Sequence, residues 1–391
     1  MNMDQNKIKE LVEDIIPQVE SWYKWLHQNP ELSGKEFKTN HFIVDKLNKL
    51  THTGIRNIAG TGIVCEIQGK EPGKHFAFRA ELDALPIEEK NKIEYKSKNK
   101  GVMHACGHDF HMAALLGIAT IASKNIDSLK GKVTFIFQPS EESLPGGALQ
   151  MIERGLFASK KPDLIIGQHV LPDLPTGYVG FRSGAYMASG DEIEITIEGK
   201  GGHGALPHLA NDVVLALSQT IVSLQQIKSR FVNQTEPFVL SFGKIEANGA
   251  TNILPETATA HGTMRTLNET WREAAKKQII NTVEKTSQIF GCKGSVNIRD
   301  GYPVLINDKH ETEQLKQLAI NILGEEKIVD LPIRMTTDDF SRFAQLIPAV
   351  YYRIGVTSKN KKDVGLHSPT FLPDISALKT AILLPLTIIF Q

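Results

Sequence analysis

The sequence has little cysteine, no long apolar run and no excess of either charge. Its three cysteines cannot form a disulfide framework, and an odd number of them suits a reducing compartment. The 44 Lys and Arg residues balance 44 Asp and Glu residues, which argues against a nucleic-acid binder and against an acidic disordered chain. What remains is typical of a globular protein of 391 residues, with 41% hydrophobic and 23% charged residues.

The longest apolar stretch, AILLPLTIIF near the C-terminus, is interrupted by Pro385 and Thr387. A membrane-spanning helix needs about 20 apolar residues, so this stretch is too short. The first residues, MNMDQNKIKELVED, mix acids and bases and do not resemble a secretory signal. We therefore expect a cytoplasmic protein with no membrane partner and no nucleic-acid partner.

The order of strand-like and helical segments predicts an α/β protein with an inserted domain. Strands alternate with helices up to about residue 186, which indicates a mostly parallel sheet flanked by helices. The order then changes to β-α-β-β-α-β, the split unit of ferredoxin-like α+β folds. We expect one discontinuous α/β domain over 1–186 and 303–391, and a smaller insert over 187–302. Ligands of such sheets bind at the carboxyl ends of the strands.

The densest group of potential metal ligands is HACGHDFH, residues 104–111, which opens a buried helix. Cys106 and His108 are two residues apart, so on an irregular turn both can reach one metal ion. A lone Cys-x-His pair is more often a buried cysteine beside a histidine that caps a helix. The further histidines and the aspartate in the same segment favour a metal site.

Two adjacent acids, Glu141 and Glu142, follow the strand-like run FIFQP. An isolated pair of acids is usually a solvated corner. Here the pair follows the end of a central strand, where acids are costly unless they are paired or bind a metal. One acid could hold a metal ion while the other handles a proton.

Two more histidines lie at predicted strand ends. His169 ends DLIIGQHV, and His367 follows the last predicted strand in LHSPT. Each alone would be an ordinary core or loop histidine. Together with the residues above they complete a set of five candidate ligands: Cys106, His108, Glu142, His169 and His367. Five ligands exceed the need of one tetrahedral zinc ion but suit two metal ions about 3.5–4 Å apart, and their wide spread along the chain is typical of a catalytic site.

The insert contains a third group of polar residues. Its segment GGHGALPH (201–208) includes His203, and its glycines would let the backbone approach a ligand closely. A turn into the following helix explains the glycines but not the histidines. Asn252 and Arg265 also lie in the insert, and Arg can hold a carboxylate through paired hydrogen bonds, although alone it would be an ordinary strand residue.

A series of motifs occurs in a characteristic order: FRAELDALPIEE, MHACGHDFHMAALLG, FQPSEES, GGHGALPH, TNILPE, GTMR, DDF and LHSPTF. This order resembles the amidohydrolase branch of the aminoacylase/carboxypeptidase metallopeptidase family. That branch includes hippurate hydrolases, N-acyl-amino-acid amidohydrolases and the hydrolases of auxin conjugates. The resemblance runs from about residue 20 to 385. Two departures are Glu81, where many members have Asp, and Ser140, where Ala is common.

The resemblance implies a catalytic domain with two divalent metal ions (Zn, Mn, Co or Ni) and an inserted lid domain that also serves dimerisation. It assigns the five ligands named above, Glu141 as general base, and His203, Asn252 and Arg265 as residues that reach the substrate. We expect a homodimer or a tetramer built from dimers.

The implied reaction is hydrolysis of the amide bond of N-acyl amino acids by metal-activated water. Alternatives are an N-acetyl-diaminopimelate deacetylase, or a dipeptidase or carboxypeptidase of the same family. Cys106 counts against the peptidases, which generally carry an acid at the position that bridges the metals. A catalytically inactive binding protein on the same fold is a further alternative, and the intact ligands and Glu141 argue against it.

Overall fold

The computed structural model describes residues 3–358 and 364–391. These residues form two compact units, of which the second comprises Ala185–Leu305 and Ile333–Asp338 and the first comprises the rest. The helices are α1 (Gln5–Gln28), α2 (Phe37–Leu47), α3 (His108–Lys124), α4 (Gly147–Glu153), α5 (Val213–Leu224), α6 (Glu269–Ile289), α7 (Lys309–Leu323), α8 (Ser341–Ala344) and α9 (Leu378–Ile389). The strands are β1 (Thr53–Ile58), β2 (Gly62–Gln68), β3 (Glu71–Glu81), β4 (Lys130–Gln138), β5 (Leu164–Pro175), β6 (Val179–Phe181), β7 (Gly184–Met187), β8 (Ser189–Glu198), β9 (Gly202–His203), β10 (Phe238–Glu246), β11 (Ile253–Leu254), β12 (Thr257–Thr266), β13 (Lys293–Arg299), β14 (Leu305–Asn307), β15 (Ile328–Asp330) and β16 (Ala349–Thr357).

The first unit contains an eight-stranded sheet in the order β1-β2-β4-β3-β5-β16-β6-β15. Its four central strands, β4, β3, β5 and β16, pair in parallel, whereas β1 and β2 add an antiparallel edge. The central strands are buried on both faces, as their continuous apolar runs require. The predicted α/β class is confirmed, and the carboxyl ends of β3, β4 and β5 lie at one edge.

Helix α3 is buried along almost its whole length beside this sheet. Its sequence is rich in Ala and Leu and contains no proline, so it forms a helix that is apolar on every side. It packs between α1 and α9. At Gly117 the neighbours come so close that a Cβ would lie 2.8 Å from Val19 Cγ2 and 3.1 Å from Ile382 Cδ1. The helix therefore holds its N-terminus, at His108, in a fixed position.

The second unit contains a four-stranded antiparallel sheet in the order β10-β12-β8-β13. Alternate residues of β8, including Ile193, Ile195 and Ile197, are buried in a core that residues of α5 and α6 share. Helix α5 begins where the Asp212 carboxylate accepts the N–H groups of Val214 and Leu215, both at 3.0 Å. The chain order β8-α5-β10-β12-α6-β13 is that of the split ferredoxin-like unit.

The second unit also contains a segment that lies outside the predicted insert, 187–302. Residues Ile333–Asp338 belong to it because their backbone pairs with the start of the unit. The N–H of Ala188 donates to the carbonyls of Arg334 and Thr336 at 3.0 and 3.1 Å. The division into units therefore differs from the predicted boundary at this segment, whose sequence, IRMTTD, is too short to indicate a strand.

Other differences concern short elements. The apolar pattern of the insert predicts a helix over 209–230, whereas α5 covers only Val213–Leu224. Strands β1 and β6 were not expected from the sequence. Strand β1 has mixed exposure and so lacks a clear pattern, and β6 has only three residues, although all of them are buried. In the described parts of the chain, no helix combines the length and the apolar character needed to cross a bilayer.

Candidate metal centre

The turn before α3 places Cys106 and His108 beside β5. Gly107 joins them with φ 87°, a left-handed conformation that side chains disfavour. A Cβ at Gly107 would also lie only 2.5 Å from Val170 Cγ2. Because the backbone can approach β5 this closely, Cys106 Sγ lies 3.4 Å from His169 Nε2.

Backbone carbonyls fix the tautomers of two histidines. His108 Nδ1 lies 2.8 Å from the carbonyl oxygen of Asp83, and His169 Nδ1 lies 2.8 Å from that of Val170. A carbonyl only accepts hydrogen bonds, so each Nδ1 carries the hydrogen and each neutral ring has its lone pair on Nε2. Both rings are thus oriented as metal-ligating histidines usually are.

Glu142 and His367 form the other side of the cluster. Glu142 Oε1 lies 3.4 Å from His367 Nε2 and 4.0 Å from His108 Nε2. The backbone at His367 is also left-handed, with φ 61°, and its N–H donates to the carbonyl of Ala105 at 2.8 Å. A non-glycine residue in this conformation is typical of functional sites.

The structure brings the five predicted ligands together in two overlapping groups. Their ligand atoms lie within 4.8 Å of one another in each group. The groups are Cys106, His108 and His169, and Cys106, Glu142 and His367. Cys106 belongs to both, so its sulfur could bridge two ions.

Two atoms of this cluster test whether metal ions fit it. His108 Nε2 and Glu142 Oε1 are buried, and neither has a hydrogen-bond partner among the described residues. Buried polar atoms without partners are rare in proteins and call for an explanation such as a bound ion. Sulfur, imidazole nitrogen and carboxylate oxygen are ligands of divalent transition metals. The residues therefore fit two divalent ions.

The charges in the cluster shift the pKa of its members. Burial raises the pKa of the Cys106 thiol, so metal binding must release its proton. The neighbouring Cys106 sulfur and Glu142 carboxylate raise the pKa of His367 to about 10. Burial and the positive charge of Arg353 lower the pKa of His169 well below its usual value, which keeps this imidazole neutral, as a ligand must be.

Glu141 lies in the same place. Only 7% of its surface is exposed, and a carboxylate oxygen lies within 4.8 Å of the ligand atoms of His108 and Glu142. It follows Ser140, whose φ of 51° turns the chain sharply after β4. A buried carboxylate beside the ligands is a suitable proton acceptor for a metal-bound water.

Sequence reasoning missed Asp83 as part of this site. Its carboxylate accepts the N–H of Glu142 at 2.9 Å and the hydroxyl of Ser33 at 2.7 Å, while its carbonyl holds His108. The signal was present in LDAL, an acid just beyond a buried strand. Glu81, two residues earlier, is instead paired with Arg79 and His111.

The residues expected in the insert occupy two places in the second unit. His203 lies on β9 and pairs with Ile253 of β11, and Gly204 N–H donates to the carbonyl of Asn252 at 2.8 Å. His203 and Asn252 thus line one groove of about 430 Å³. Arg265 lies on β12 of the larger sheet, where it donates to the hydroxyl of Thr337 at 3.3 Å.

An α/β sheet with two groups of candidate metal ligands at the carboxyl ends of its strands is an arrangement that suits a metal-dependent hydrolase. The sequence pattern of peptidase family M20/M25/M40 matches residues 77–389, and the chain belongs to this family. The predicted resemblance is thereby confirmed, and the protein is a metal-dependent amide hydrolase.

Individual relatives agree with this assignment. The chain is 40% identical to the N-acetyl-L-cysteine deacetylase of Bacillus subtilis over 354 residues, which are 90% of this chain and 83% of the relative. It is 37% identical to thermostable carboxypeptidase 2 of Saccharolobus solfataricus, over 96% of this chain and 94% of that one. The structure is similar to that of the YXEP protein of Bacillus subtilis, a dinuclear metal binding peptidase, with a TM-score of 0.84 and 30% identity over 97% and 98% of the chains.

Proposed function

We propose that the protein hydrolyses the amide bond of N-acyl amino acids, releasing a carboxylate and a free amino acid. The observation that carries this proposal is the pair of ligand groups sharing Cys106, with Glu141 buried beside them. The similarity to an N-acetyl-L-cysteine deacetylase supports the substrate class. By the resemblance described above, the thiol at the shared position also favours the amidohydrolase branch over the peptidase branches.

In this proposal Cys106, His108, Glu142, His169 and His367 hold two divalent ions, and Glu141 is the general base. Two such ions would supply an acidified water molecule and would polarise the acyl oxygen. Glu141 accepts the proton of the water and delivers it to the leaving nitrogen, and a positioned base of this kind contributes about 10²–10⁴-fold. The ions are Zn²⁺, Mn²⁺, Co²⁺ or Ni²⁺, because a mixed sulfur, nitrogen and oxygen site accepts all four.

Substitution of each acid in turn tests the two roles. Glu141→Gln should retain both metal ions while kcat falls by about 10²-fold or more, since only proton transfer is lost. Glu142→Gln serves as the matched variant and should lose metal, measured by elemental analysis after gel filtration. Near-normal kcat in Glu141→Gln, with metal content unchanged, would show that the proposed base is wrong.

A substrate panel distinguishes this function from its rivals. N-acyl amino acids with different acyl groups, N-acetyl-diaminopimelate and dipeptides should be compared after loading with each of the four metals. The proposal expects the highest kcat/KM for N-acyl amino acids. A preference for dipeptides would favour the carboxypeptidase alternative. The 37% identity to a carboxypeptidase is the observation that supports this alternative. No turnover of any substrate by the fully metal-loaded protein would favour the inactive binding protein.

We further propose that the second unit serves as the lid, with His203, Asn252 and Arg265 contacting the substrate. His203 would donate to the developing oxyanion, so His203→Ala should lower kcat about 10²–10³-fold without loss of metal. Arg265→Ala should raise KM mainly for substrates with a free carboxylate.

Activity that returns when His203→Ala chains are mixed with Glu141→Gln chains would mean that His203 acts on the partner subunit's site. Its failure to return after verified subunit exchange would mean that it acts within its own chain.

We infer that the protein forms a homodimer, or a tetramer built from two dimers, through the second unit. Three apolar side chains of α5 are exposed there: Val214 at 42%, Leu215 at 54% and Val222 at 62%. Strand β10 is an edge of the sheet, so its outer backbone groups can pair with another strand. Leu215→Glu should shift the sedimentation coefficient towards that of the monomer. An unchanged coefficient would exclude this face.

The cysteines support a reducing compartment, the cytoplasm, as the working environment. Cys65, Cys106 and Cys292 are all free thiols and all buried. A metal-ligating Cys106 must stay reduced to bind, which a glutathione-rich compartment ensures.

A further inference from the structure

Ser140 adopts a backbone conformation that its side chain disfavours, one residue before the proposed base Glu141. Its φ of 51° lies in the left-handed region, where a non-glycine residue is strained unless its surroundings hold it. Such strain directly beside a reacting group indicates that the backbone conformation at Ser140 is needed to orient Glu141.

The group that holds Ser140 is the carboxylate of Glu36. Its Oε1 accepts the Ser140 N–H at 2.9 Å and lies 3.3 Å from the Ser140 hydroxyl. The same oxygen accepts the Gly34 N–H at 2.9 Å, and Oε2 accepts the Thr61 hydroxyl at 2.7 Å. The side chain is fully buried, and burial raises its pKa.

Helix capping does not explain this buried acid. Glu36 is the residue that precedes α2, but its side chain makes no hydrogen bond to the helix. A buried carboxylate is costly unless its hydrogen bonds compensate, and here the bonds go to three separate loops, at residues 34, 61 and 140. Glu36 therefore stabilises the turn after β4 rather than the helix it starts.

The other side of Glu141 is held in the same way. Asp83, also fully buried, accepts the N–H of Glu142 at 2.9 Å. The backbone amides on both sides of Glu141 thus donate to two different buried carboxylates. Asp83 also orients His108 and so belongs to the candidate metal site. Among the described residues, Glu36 makes its hydrogen bonds to Gly34, Thr61 and Ser140 and to none of the five ligands.

We propose that Glu36 is a positioning residue for the general base: it fixes the backbone at Ser140 and thereby aims Glu141. The proposal rests on the function proposed above. Misplacement of a reacting group by about 1 Å can cost about 10²-fold in rate. Loss of the charge at position 36 should therefore lower kcat while metal binding and KM are retained.

The first test compares Glu36→Gln with Asn40→Ala. Glu36→Gln should lower kcat about 10-fold, with KM and metal content changed less than about twofold. Asn40 is the matched control because it supports the same corner, donating to the carbonyl of Thr61 at 2.8 Å, without touching Ser140. Asn40→Ala should lower the melting temperature but not kcat. Equal losses of kcat in the two variants, at equal melting temperature, would overturn the proposal in favour of a purely structural role.

A double-mutant cycle tests whether Glu36 acts through Glu141. In the Glu141→Gln background, Glu36→Gln should not reduce the residual rate further, because residues that act as a unit are not additive. A further 10-fold loss in that background would overturn the proposal. The two hypotheses can also fail separately: normal kcat in Glu36→Gln beside an inactive Glu141→Gln contradicts only the positioning role, whereas no turnover by the wild type contradicts the function.

Ser140→Ala provides a milder variant in case Glu36→Gln does not fold. It removes only the hydroxyl contact and keeps the N–H that Glu36 accepts. The expected result is a kcat two- to threefold lower with an unchanged KM. A change in KM alone would overturn the positioning role.

Discussion

Two groups of charged residues lie at the same sheet edge of the first unit, and they are built differently. We name the first group the arginine cluster. In it, Arg79 forms ion pairs with Glu81 and with Asp339, and the distance to Asp339 is 2.7 Å. Arg79 also donates a hydrogen bond to Gln138 at 2.9 Å. In the second, the metal cluster of Cys106, His108, Glu142, His169 and His367, the members are potential metal ligands and no basic guanidinium or ammonium group is included.

The difference lies in how the polar atoms are satisfied. Asp339 accepts hydrogen bonds from Gln138 and from the Ala148 N–H, in addition to its ion pair with Arg79. By contrast, neither His108 Nε2 nor Glu142 Oε1 has a hydrogen-bond partner in the described parts of the chain. A charge cluster that neutralises itself is structural. A cluster that leaves ligand atoms unpaired is completed by something bound, and this distinction guides the predictions below.

The largest effect is expected from breaking the arginine cluster. Arg79→Met leaves the buried carboxylates of Glu81 and Asp339 without their cation, which should destabilise the protein by about 3–5 kcal/mol. Because Arg79 already pairs with the carboxylates of this cluster, the loss should be the same with and without metal ions, as measured by urea unfolding. The control Arg299→Met removes an arginine that is 70% exposed and should change stability by less than about 1 kcal/mol. A loss confined to the metal-loaded protein would contradict the distinction.

The metal cluster should behave in the opposite way. Saturating metal at about 1,000 times Kd should raise the stability of the wild type by about 4 kcal/mol, because the ions bind only the folded state. Cys106→Ala removes the ligand common to both groups and should abolish this rise. Cys65→Ala, which removes a buried thiol elsewhere, should keep it. Thermal unfolding with and without metal measures this gain in stability. An equal gain in both variants would show that Cys106 does not bind metal.

A third buried group sharpens the comparison. His27 Nδ1 lies 2.6 Å from Asp109 and Nε2 lies 3.1 Å from Glu89. Burial alone would lower the pKa of His27, but these hydrogen bonds raise it to about 9, so the protonated ring completes the group as Arg79 does.

The stability that His27 contributes should therefore be complete below about pH 6.5 and be lost as the pH rises through about 9, by on the order of 3 kcal/mol. His27→Gln should flatten the dependence of unfolding free energy on pH in this window. The exposed His41→Gln should leave it unchanged. If His27→Gln follows the wild-type curve, the ring is not charged in the folded protein.

The smallest effect concerns geometry without loss of a ligand. Gly107→Ala introduces a Cβ 2.5 Å from Val170 Cγ2 and should cost about 1–3 kcal/mol while weakening metal affinity. Gly177→Ala has the same kind of backbone, φ 89°, but no atom within 4 Å of the new Cβ. It should cost about 1 kcal/mol and leave metal affinity unchanged, as measured by titration calorimetry. Equal metal affinity in the two variants would show that the close approach to β5 is dispensable.

The sequence predicts best what depends on local pattern. The runs that form β4 and β5 and the apolar helix α3 were all expected within a few residues, because burial on both faces leaves a continuous apolar signal. Short edge strands such as β1 have mixed exposure and were missed. The segment Ile333–Asp338 was missed because its pairing partner lies about 145 residues earlier in the chain.

The residues of the candidate site also differ in whether a local sequence pattern reveals them. Ligand types such as Cys106 and His108 could be recognised from spacing and chemistry. Asp83 and Glu36 act through backbone amides that are distant in sequence, and a carboxylate that accepts an N–H leaves no residue pattern at the partner position. Such contacts become visible only once the fold brings the chain segments together.

The position of β16 has a consequence for how the protein is made. This strand lies between β5 and β6 in the sheet, yet it is synthesised about 175 residues after β5. At about 5–20 residues per second, the apolar edge of β5 is without its neighbour for roughly 10–35 s on the ribosome. An unpaired apolar strand exposed for that time can pair with other chains. Recovery of active enzyme should therefore depend on chaperones that shield nascent chains, more than the stability of the finished fold would suggest.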